Sequence, residues 1–330
     1  MSTLARQLEL GFVGVTEVAA VAAAHTMGFG ERKHSDRVAV EAMREELGRL
    51  PIAGRVVIGE GERDKAPMLY VGEEVGALPQ GGDGPHIDIA VDPLEGTNLC
   101  ATGEPGAIAV LAAADTGGLL FAPDIYMDKI VVGPTAADTP IHLDAPVAEN
   151  LRYLAEAYGR EVGDLTIVVL ERERHEQLIA DIRQAGARIR LIGDGDLSAG
   201  IAAAVRGTSI HGVMGIGGAP EGVLTAAAMR CLGGQIHARL APLDDAQRQR
   251  IADLGLEDAA DQLMTREDLA PGDNLLFCAT GVTDGQLLKG VRFFGGGYRT
   301  QTLFMSLARK VIRFVDTIQR DDTSTPVLFQ

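Results

Sequence analysis

The stretch IDIAVDPLEGT (87–97) runs from a short, β-branched segment straight into two carboxylates, Asp92 and Glu95. A run of this kind, too short for a helix of its own, reads as a buried strand. Asp92 then leaves the strand, Pro93 fixes a turn, and Glu95 three residues on can return to the same cation with a backbone carbonyl between them. Gly96 permits a tight bend, and Thr97 stands where a helix can begin, so its hydroxyl and nearby N–H groups could meet a phosphate. An Asx-turn leading into a helix cap would explain any one of these residues. The D-P-L-E-G-T string after an apolar strand is more specific than that, and it points to a metal.

Other acids repeat the arrangement. Glu60, Glu62 and Asp64 follow RVVIG (55–59), Asp194 and Asp196 follow RIRLI (188–192), and Glu221 follows HGVMG (211–215) with its glycine loop. In open α/β sheets the carboxyl ends of strands face the ligand crevice, so acids placed there converge. Converging carboxylates repel unless a cation sits among them, and hard oxygen ligands suit Mg²⁺ or Mn²⁺. Taken singly, each acid reads as a solvated turn or an N-cap.

Around these sites the chain divides into two patterns. In residues 1–145, Thr16 can cap a helix ending at Gly28, and a second helix runs from Asp36 to Pro51. Strands follow at 55–59 and 87–91, and GAIAVLAA (106–113) with GLLFAP (118–123) predicts a hairpin around Asp115-Thr116-Gly117. This half is mixed α+β and carries the metal-binding acids. In residues 146–330, helices and strands alternate, which predicts an α/β half with a parallel, helix-covered sheet. Further strands are expected at 274–281 and within 291–316.

Composition narrows the function. Among 330 residues, 46 acids against 30 bases give −16 at pH 7, only 4% are aromatic and Trp is absent, which disfavours nucleic-acid binding. Such a charge also repels anionic metabolites, so a phosphate-ester substrate would require recruited cations. Cys100, Cys231 and Cys278 have no C-x-x-C spacing, and a reducing, cytoplasmic setting is expected. No apolar run approaches the ~20 residues that span a bilayer, so no membrane role is expected. Pro220 occupies the third glycine position of a dinucleotide fingerprint in GIGGAP (215–220), Asp196-Leu-Ser-Ala-Gly lacks the first glycine of a nucleophile elbow, and no Walker lysine loop exists. In Glu171-Arg-Glu-Arg-His175, Arg172 or Arg174 could fork onto a second phosphate, or the run is a solvated helix start.

Several longer segments resemble a known family: GEGERDKAPMLYVGEEVG (59–76), VDPLEGTNLCA (91–101), APDIYMDKIVVGP (122–134), IGDGDLSAGI (192–201) and MGIGGAPEGV (214–223). They are similar to class II fructose-1,6-bisphosphatases, including the branch that also hydrolyses sedoheptulose-1,7-bisphosphate, and the D-P-L-E-G-T core resembles the wider lithium-sensitive, metal-dependent phosphatase superfamily. The resemblance extends from about residue 5 to about 318. It implies a layered α/β/α/β/α fold and removal of the 1-phosphate of fructose-1,6-bisphosphate, in gluconeogenesis or Calvin-type carbon metabolism, by a homo-oligomer, dimer or tetramer. It implies Asp36, Glu60, Asp92, Glu95 and Glu221 as ligands of Mg²⁺ or Mn²⁺ with the Leu94 carbonyl assisting, and Asp64 with Thr97 as the water-activating pair. Glu95, Gly96, Thr97, Tyr126, Arg172, Arg174, Asp194, Asp196 and Gly218 are then the substrate contacts, and the resemblance implies that the half formed by residues 146–330 binds the sugar phosphate. Rival readings are an inositol-phosphate type phosphatase and a sugar-phosphate or metal sensor without turnover; an intact Asp64 and Thr97 speak against the sensor.

Overall fold

A computed structural model describes residues 8–61, 68–253 and 260–325 of the chain. In chain order the helices are α1 (Glu9–Ala24), α2 (Arg32–Leu47), α3 (Thr97–Thr102), α4 (Val147–Tyr158), α5 (Glu176–Gln184), α6 (Asp196–Ala204), α7 (Ala219–Leu232), α8 (Asp245–Asp253) and α9 (Arg266–Leu269). The strands are β1 (Ala53–Ile58), β2 (Glu74–Val75), β3 (His86–Glu95), β4 (Ile108–Asp115), β5 (Tyr126–Val132), β6 (Thr166–Leu170), β7 (Arg188–Ile192), β8 (Gly212–Gly218), β9 (Gln235–Leu240), β10 (Leu275–Gly281), β11 (Arg292–Phe294), β12 (Gly297–Ser306) and β13 (Val311–Arg320).

Two sheets organise them. The first runs β11-β12-β10-β4-β3-β1-β2 with β13 paired to β12, and the second runs β7-β6-β8-β5-β9. Strand β4 shows why both faces of the first sheet are covered. Val110, Ala112 and Ala114 belong to the core between the sheets, while Ala109, Leu111 and Ala113 belong to the core under α1 and α2. The period of two thus serves two apolar layers at once. Helices α6 and α7 lie between the sheets, and α4 and α5 cover the far face of the second. The order is α/β/α/β/α.

Several local expectations are corrected. Thr16 does not cap α1; the helix starts at Glu9, whose carboxylate is held by Arg309 and Arg313, and Thr16 lies buried in mid-helix. There its hydroxyl donates to Val13 O and receives the Thr280 hydroxyl. Helix α2 begins before Asp36, at Arg32. Strand β3 does not stop at Asp92. It continues to Glu95 because its register with β4 shifts between those two residues, and Pro93 sits in that irregularity where its missing N–H breaks no ladder bond. The 106–123 hairpin does not form: β4 pairs with β3 and β10, and the turn after it is tied to β3 by Gly117 N–H donating to Asp88.

The second sheet is parallel only across β7, β6 and β8. Strand β5, from earlier in the chain, lies antiparallel between β8 and β9, and α7 makes the crossover that joins those two. Sheet membership also crosses residue 145, since β5 joins the second sheet and β10 to β13 complete the first. No helix among the described residues is long and apolar enough to cross a membrane.

Helix α7 is clamped on both sides, with Ala219, Ala226, Ala227 and Ala228 fully buried in the central core. We expect Ala227→Leu to cost about 1–3 kcal/mol through overpacking, read from the denaturation midpoint. Leu10→Ala on the exposed face of α1 should stay within about 0.5 kcal/mol. A Leu tolerated without loss at 227 would contradict the clamp.

Candidate active site

The C-terminal ends of β1 and β3 and the N-terminal ends of α3 and α7 meet at one cavity of about 260 Å³. Asp36, Glu60, Asp92, Leu94, Glu95, Gly96, Thr97, Asp194 and Glu221 all line it. One oxygen each from Asp92, Glu95 and Glu221 fall within 4.8 Å of one another. The β3 irregularity places the first two. Asp92 accepts the Leu94 N–H at 3.1 Å, and Glu95 accepts the Leu197 N–H, from the first turn of α6, at 3.2 Å. Glu221 comes from the first turn of α7, which tolerates Pro220 because the N–H groups there have no helical partner. A side chain at position 218 would put its Cβ 1.8 Å from a Glu221 carboxylate oxygen, so glycine is required there for Glu221 to reach in.

The electrostatics of this group follow from its geometry. Loss of water and then the charge of Glu221 push the Asp92 carboxyl up to about 8, against hydrogen bonds from Glu95 and the Leu94 N–H that lower it. Glu95 is raised well above its ordinary value by burial and by Asp92, Asp196, Glu221 and Asp194. Glu60 is raised well above its own by burial and by Asp36, Asp92, Glu221 and Asp124. Burial likewise raises Asp36 and Glu221, the latter eased by Lys129. One buried oxygen, Oε2 of Glu221, has no hydrogen-bond partner among the described residues. Carboxylates crowded with an orphaned oxygen among them fit a hard divalent cation, which would satisfy that oxygen and relieve the repulsion together.

Of the remaining expected residues, Tyr126, Arg172, Arg174, Asp196 and Gly218 lie outside the cavity lining and Asp194 belongs to it. Tyr126 and Gly218 are cross-strand partners in β5 and β8. Arg174 donates two bonds to Ile216 O, at 3.1 and 2.8 Å, and its guanidinium lies 4.8 Å from the centre of the Tyr126 ring. His175 fixes this corner: its Nδ1 bonds Leu170 O and its Nε2 accepts the Ile216 N–H, so it is a structural ring. Arg172, exposed, donates to Gly193 O at 2.6 Å. Asp194 accepts from the backbone and side chain of Asn98, and Asp196 pairs with Lys129 at 2.8 Å.

Thr97 opens α3, yet its hydroxyl makes no capping bond; Gly96 is the cap residue at φ +83°, and the Thr97 hydroxyl donates to Leu94 O at 3.0 Å. Asp64 lies outside the described residues. Sequence reading passed over Asp124, which lines the cavity, and Lys129, a buried cation that also donates to Gly218 O at 3.0 Å. Both stand in the quoted APDIYMDKIVVGP segment. Their charge pattern there carries no signal until β5 is known to border the site.

Comparison with known proteins gives a consistent picture. The family described as bacterial fructose-1,6-bisphosphatase, glpX-encoded, matches residues 6–319. A protein of Synechococcus sp. (strain JA-3-3Ab) named D-fructose 1,6-bisphosphatase class 2/sedoheptulose 1,7-bisphosphatase is 51% identical over 341 residues, with 97% of each chain covered. A protein of the same name from Trichodesmium erythraeum (strain IMS101) is 49% identical, covering 94% of this chain and 95% of its own. Among solved structures, the extragenic suppressor protein suhB from Bartonella henselae is similar at 16% identity and a TM-score of 0.33, over 60% of this chain and 72% of that one.

The raised carboxyl values set a pH dependence. A group whose pKa is higher in the folded than in the unfolded chain supports folding most at low pH, and that support is lost as pH rises through the folded value. For the metal-free protein the loss should run from about pH 4, the ordinary carboxylate range, to about 8, the raised Asp92 value. Glu95→Gln keeps an oxygen for the Leu197 N–H and removes one charge. Its metal-free melting temperature at pH 8 should exceed that of the wild type, the gap closing toward pH 4. Millimolar Mg²⁺ should raise the wild type more than the variant. A variant gap that does not change with pH would contradict the repulsion argument.

Proposed function

Since the chain belongs to the family of bacterial, glpX-encoded fructose-1,6-bisphosphatases, we propose that its acidic cavity and the arginine-bearing wall beside it hold the two ends of a sugar bisphosphate. The protein is a phosphoric monoester hydrolase that converts fructose-1,6-bisphosphate to fructose-6-phosphate and phosphate, and its relatives are named for sedoheptulose-1,7-bisphosphate as well. What supports the placement of chemistry is the Asp92, Glu95 and Glu221 cluster, with the unpartnered Glu221 oxygen in it.

Asp92, Glu95 and Glu221, with Asp36, Glu60 and the Leu94 carbonyl at the same cavity, would hold the metal. When bound, Mg²⁺ or Mn²⁺ supplies the positive charge that neutralises the phosphate oxygens and the leaving alkoxide and favours ionisation of water. The chain's own groups supply geometry. With its proton committed to Leu94 O, the Thr97 hydroxyl has lone pairs left to accept a hydrogen bond from the attacking water and so orient it. Asp64 is the base assigned to the same water. Arg174, stacked on Tyr126 and anchored to Ile216 O, and Arg172, anchored to Gly193 O, are set to take the phosphate that does not react. Asp194 and Asp196 are suited to accept sugar hydroxyls. The assembly is a homo-oligomer, dimer or tetramer, in keeping with the apolar Ile312 and Phe314 exposed on β13.

Phosphate release from both bisphosphates, followed with Mg²⁺, Mn²⁺ and chelator, tests the reading: turnover should appear with either metal and vanish with chelator. Binding without release would leave a sensor. Arg172→Ala and Arg174→Ala should raise KM more than they lower kcat, because a remote phosphate is held about equally in ground and transition states. An unchanged KM in both would remove these arginines from the substrate. Thr97→Ala should lower kcat by roughly a hundredfold while calorimetry still detects sugar-bisphosphate binding. Normal turnover in that variant would confine Thr97 to its Leu94 contact.

A further inference from the structure

A second cavity, of about 510 Å³, lies where the C-terminal end of α6 and the loop after it meet the end of α4. It shares no residue with the acidic cavity. The chain carries 46 acids, yet none lines this space; Arg160, Arg206 and His211 do. In a protein of net charge −16 such a place is where an anion would be drawn.

The tautomer of His211 decides what it can hold. The Thr166 N–H donates to His211 Nδ1 at 2.9 Å, and the His211 N–H donates back to Thr166 O at 3.0 Å. A backbone N–H can only donate, so Nδ1 is the unprotonated nitrogen and the ring proton sits on Nε2. Burial, with Arg160 and Arg188 nearby, lowers the pKa of the ring against the weaker opposing effects of its Thr166 backbone hydrogen bond and of Asp164, which favours the uncharged ring. Tyr158 fixes its plane edge-on, with ring centroids 5.0 Å apart. Nη1 of Arg160 then stands 3.4 Å from Nε2, and it too is only a donor. Two facing donors cannot satisfy each other. An acceptor oxygen between or beside them would satisfy both.

The surroundings remove the obvious objection. Carbonyls at a helix C-terminus repel anions, but the Thr208 hydroxyl donates to Ala202 O and Val205 O at the end of α6, at 2.7 and 3.0 Å. Arg206, exposed on the rim, has no ion pair among the described residues. We propose that this cavity binds the oxyanion group of a small metabolite, a phosphate or a carboxylate, between the His211 Nε2–H and the Arg160 guanidinium.

The test uses the full chain with ¹⁵N-labelled histidine, titrated separately with inorganic phosphate and with acetate while the His211 ring resonances are followed among the seven imidazoles. A saturable shift at His211 is expected, with phosphate alone if the group is a phosphate and with acetate too if a carboxylate suffices. In Arg160→Ala the midpoint should weaken at least tenfold, and Arg160→Lys should recover part of it. The Thr166 bond is left intact in both variants, so folding is not at stake. No shift with either anion up to tens of millimolar, or a shift of equal midpoint in Arg160→Ala, would overturn the proposal. Phosphate bound only at the acidic cavity would give that second result, so the outcome does not depend on the assigned reaction.

Discussion

Repulsion among the buried carboxylates of Asp92, Glu95 and Glu221 is the constraint around which the rest of the molecule is arranged. Taking a charge out of water costs several kcal/mol, and placing like charges a few ångströms apart adds to that. Nothing in a flexible chain would keep such groups together. They are held because two rigid elements carry them: the irregular end of β3 for Asp92 and Glu95 and the first turn of α7 for Glu221. Helix α7 fits there because its buried faces are rich in alanine, with Ala219, Ala226, Ala227 and Ala228 beside Val223, Leu224 and Met229, so that it lies between two sheets without pushing them apart. The small-residue helix and the acid cluster are parts of one design, since the packing places the charge.

Much of this was legible in the sequence, and what was not failed for identifiable reasons. IDIAV followed at once by acids reads correctly as a buried strand that delivers carboxylates, because burial on both faces leaves a continuous apolar run. Pro93 read as the end of that strand, since proline breaks a ladder; the irregular register against β4 absorbs it, and register is a property of two strands that one cannot show. Thr16 before an alanine run reads as a cap by local chemistry alone. Its partners in the fold, Thr280 and through it Thr302, lie more than 260 residues away. The alternating second half reads as a parallel sheet because β5, which lies antiparallel between β8 and β9, comes from earlier in the chain.

The same distinction separates the site residues that were visible from those that were not. Asp92, Glu95 and Glu221 carry strand-end or glycine-loop signals of their own, so their convergence follows from the residue pattern alone. Lys129 and Asp124 carry none. Lys129 sits in the middle of an ordinary strand, where an outward-facing lysine is the default, and only the closeness of α6 and β8 turns it into a buried partner of Asp196 and Gly218.

Lys129 also shows how far the protein settles its own charge. It is nearly fully buried, pairs with Asp196 and lowers the pKa of Glu221, so one lysine quiets one edge of the acidic cavity. A buried pair of this kind is costly to break from either side, because the survivor is left as an uncompensated charge. It therefore fixes α6 against β5 and β8, and with them the Leu197 N–H that Glu95 accepts. On the opposite side, Asp36, Glu60, Asp92 and Glu95 face one another without such a lysine among the described residues, and their pKa values are raised accordingly. Charge crowded without a counter-ion fits a cation from solution. A second buried lysine at that edge would relieve the same repulsion and so stabilise the metal-free protein, but it would also fill the space such a cation would take.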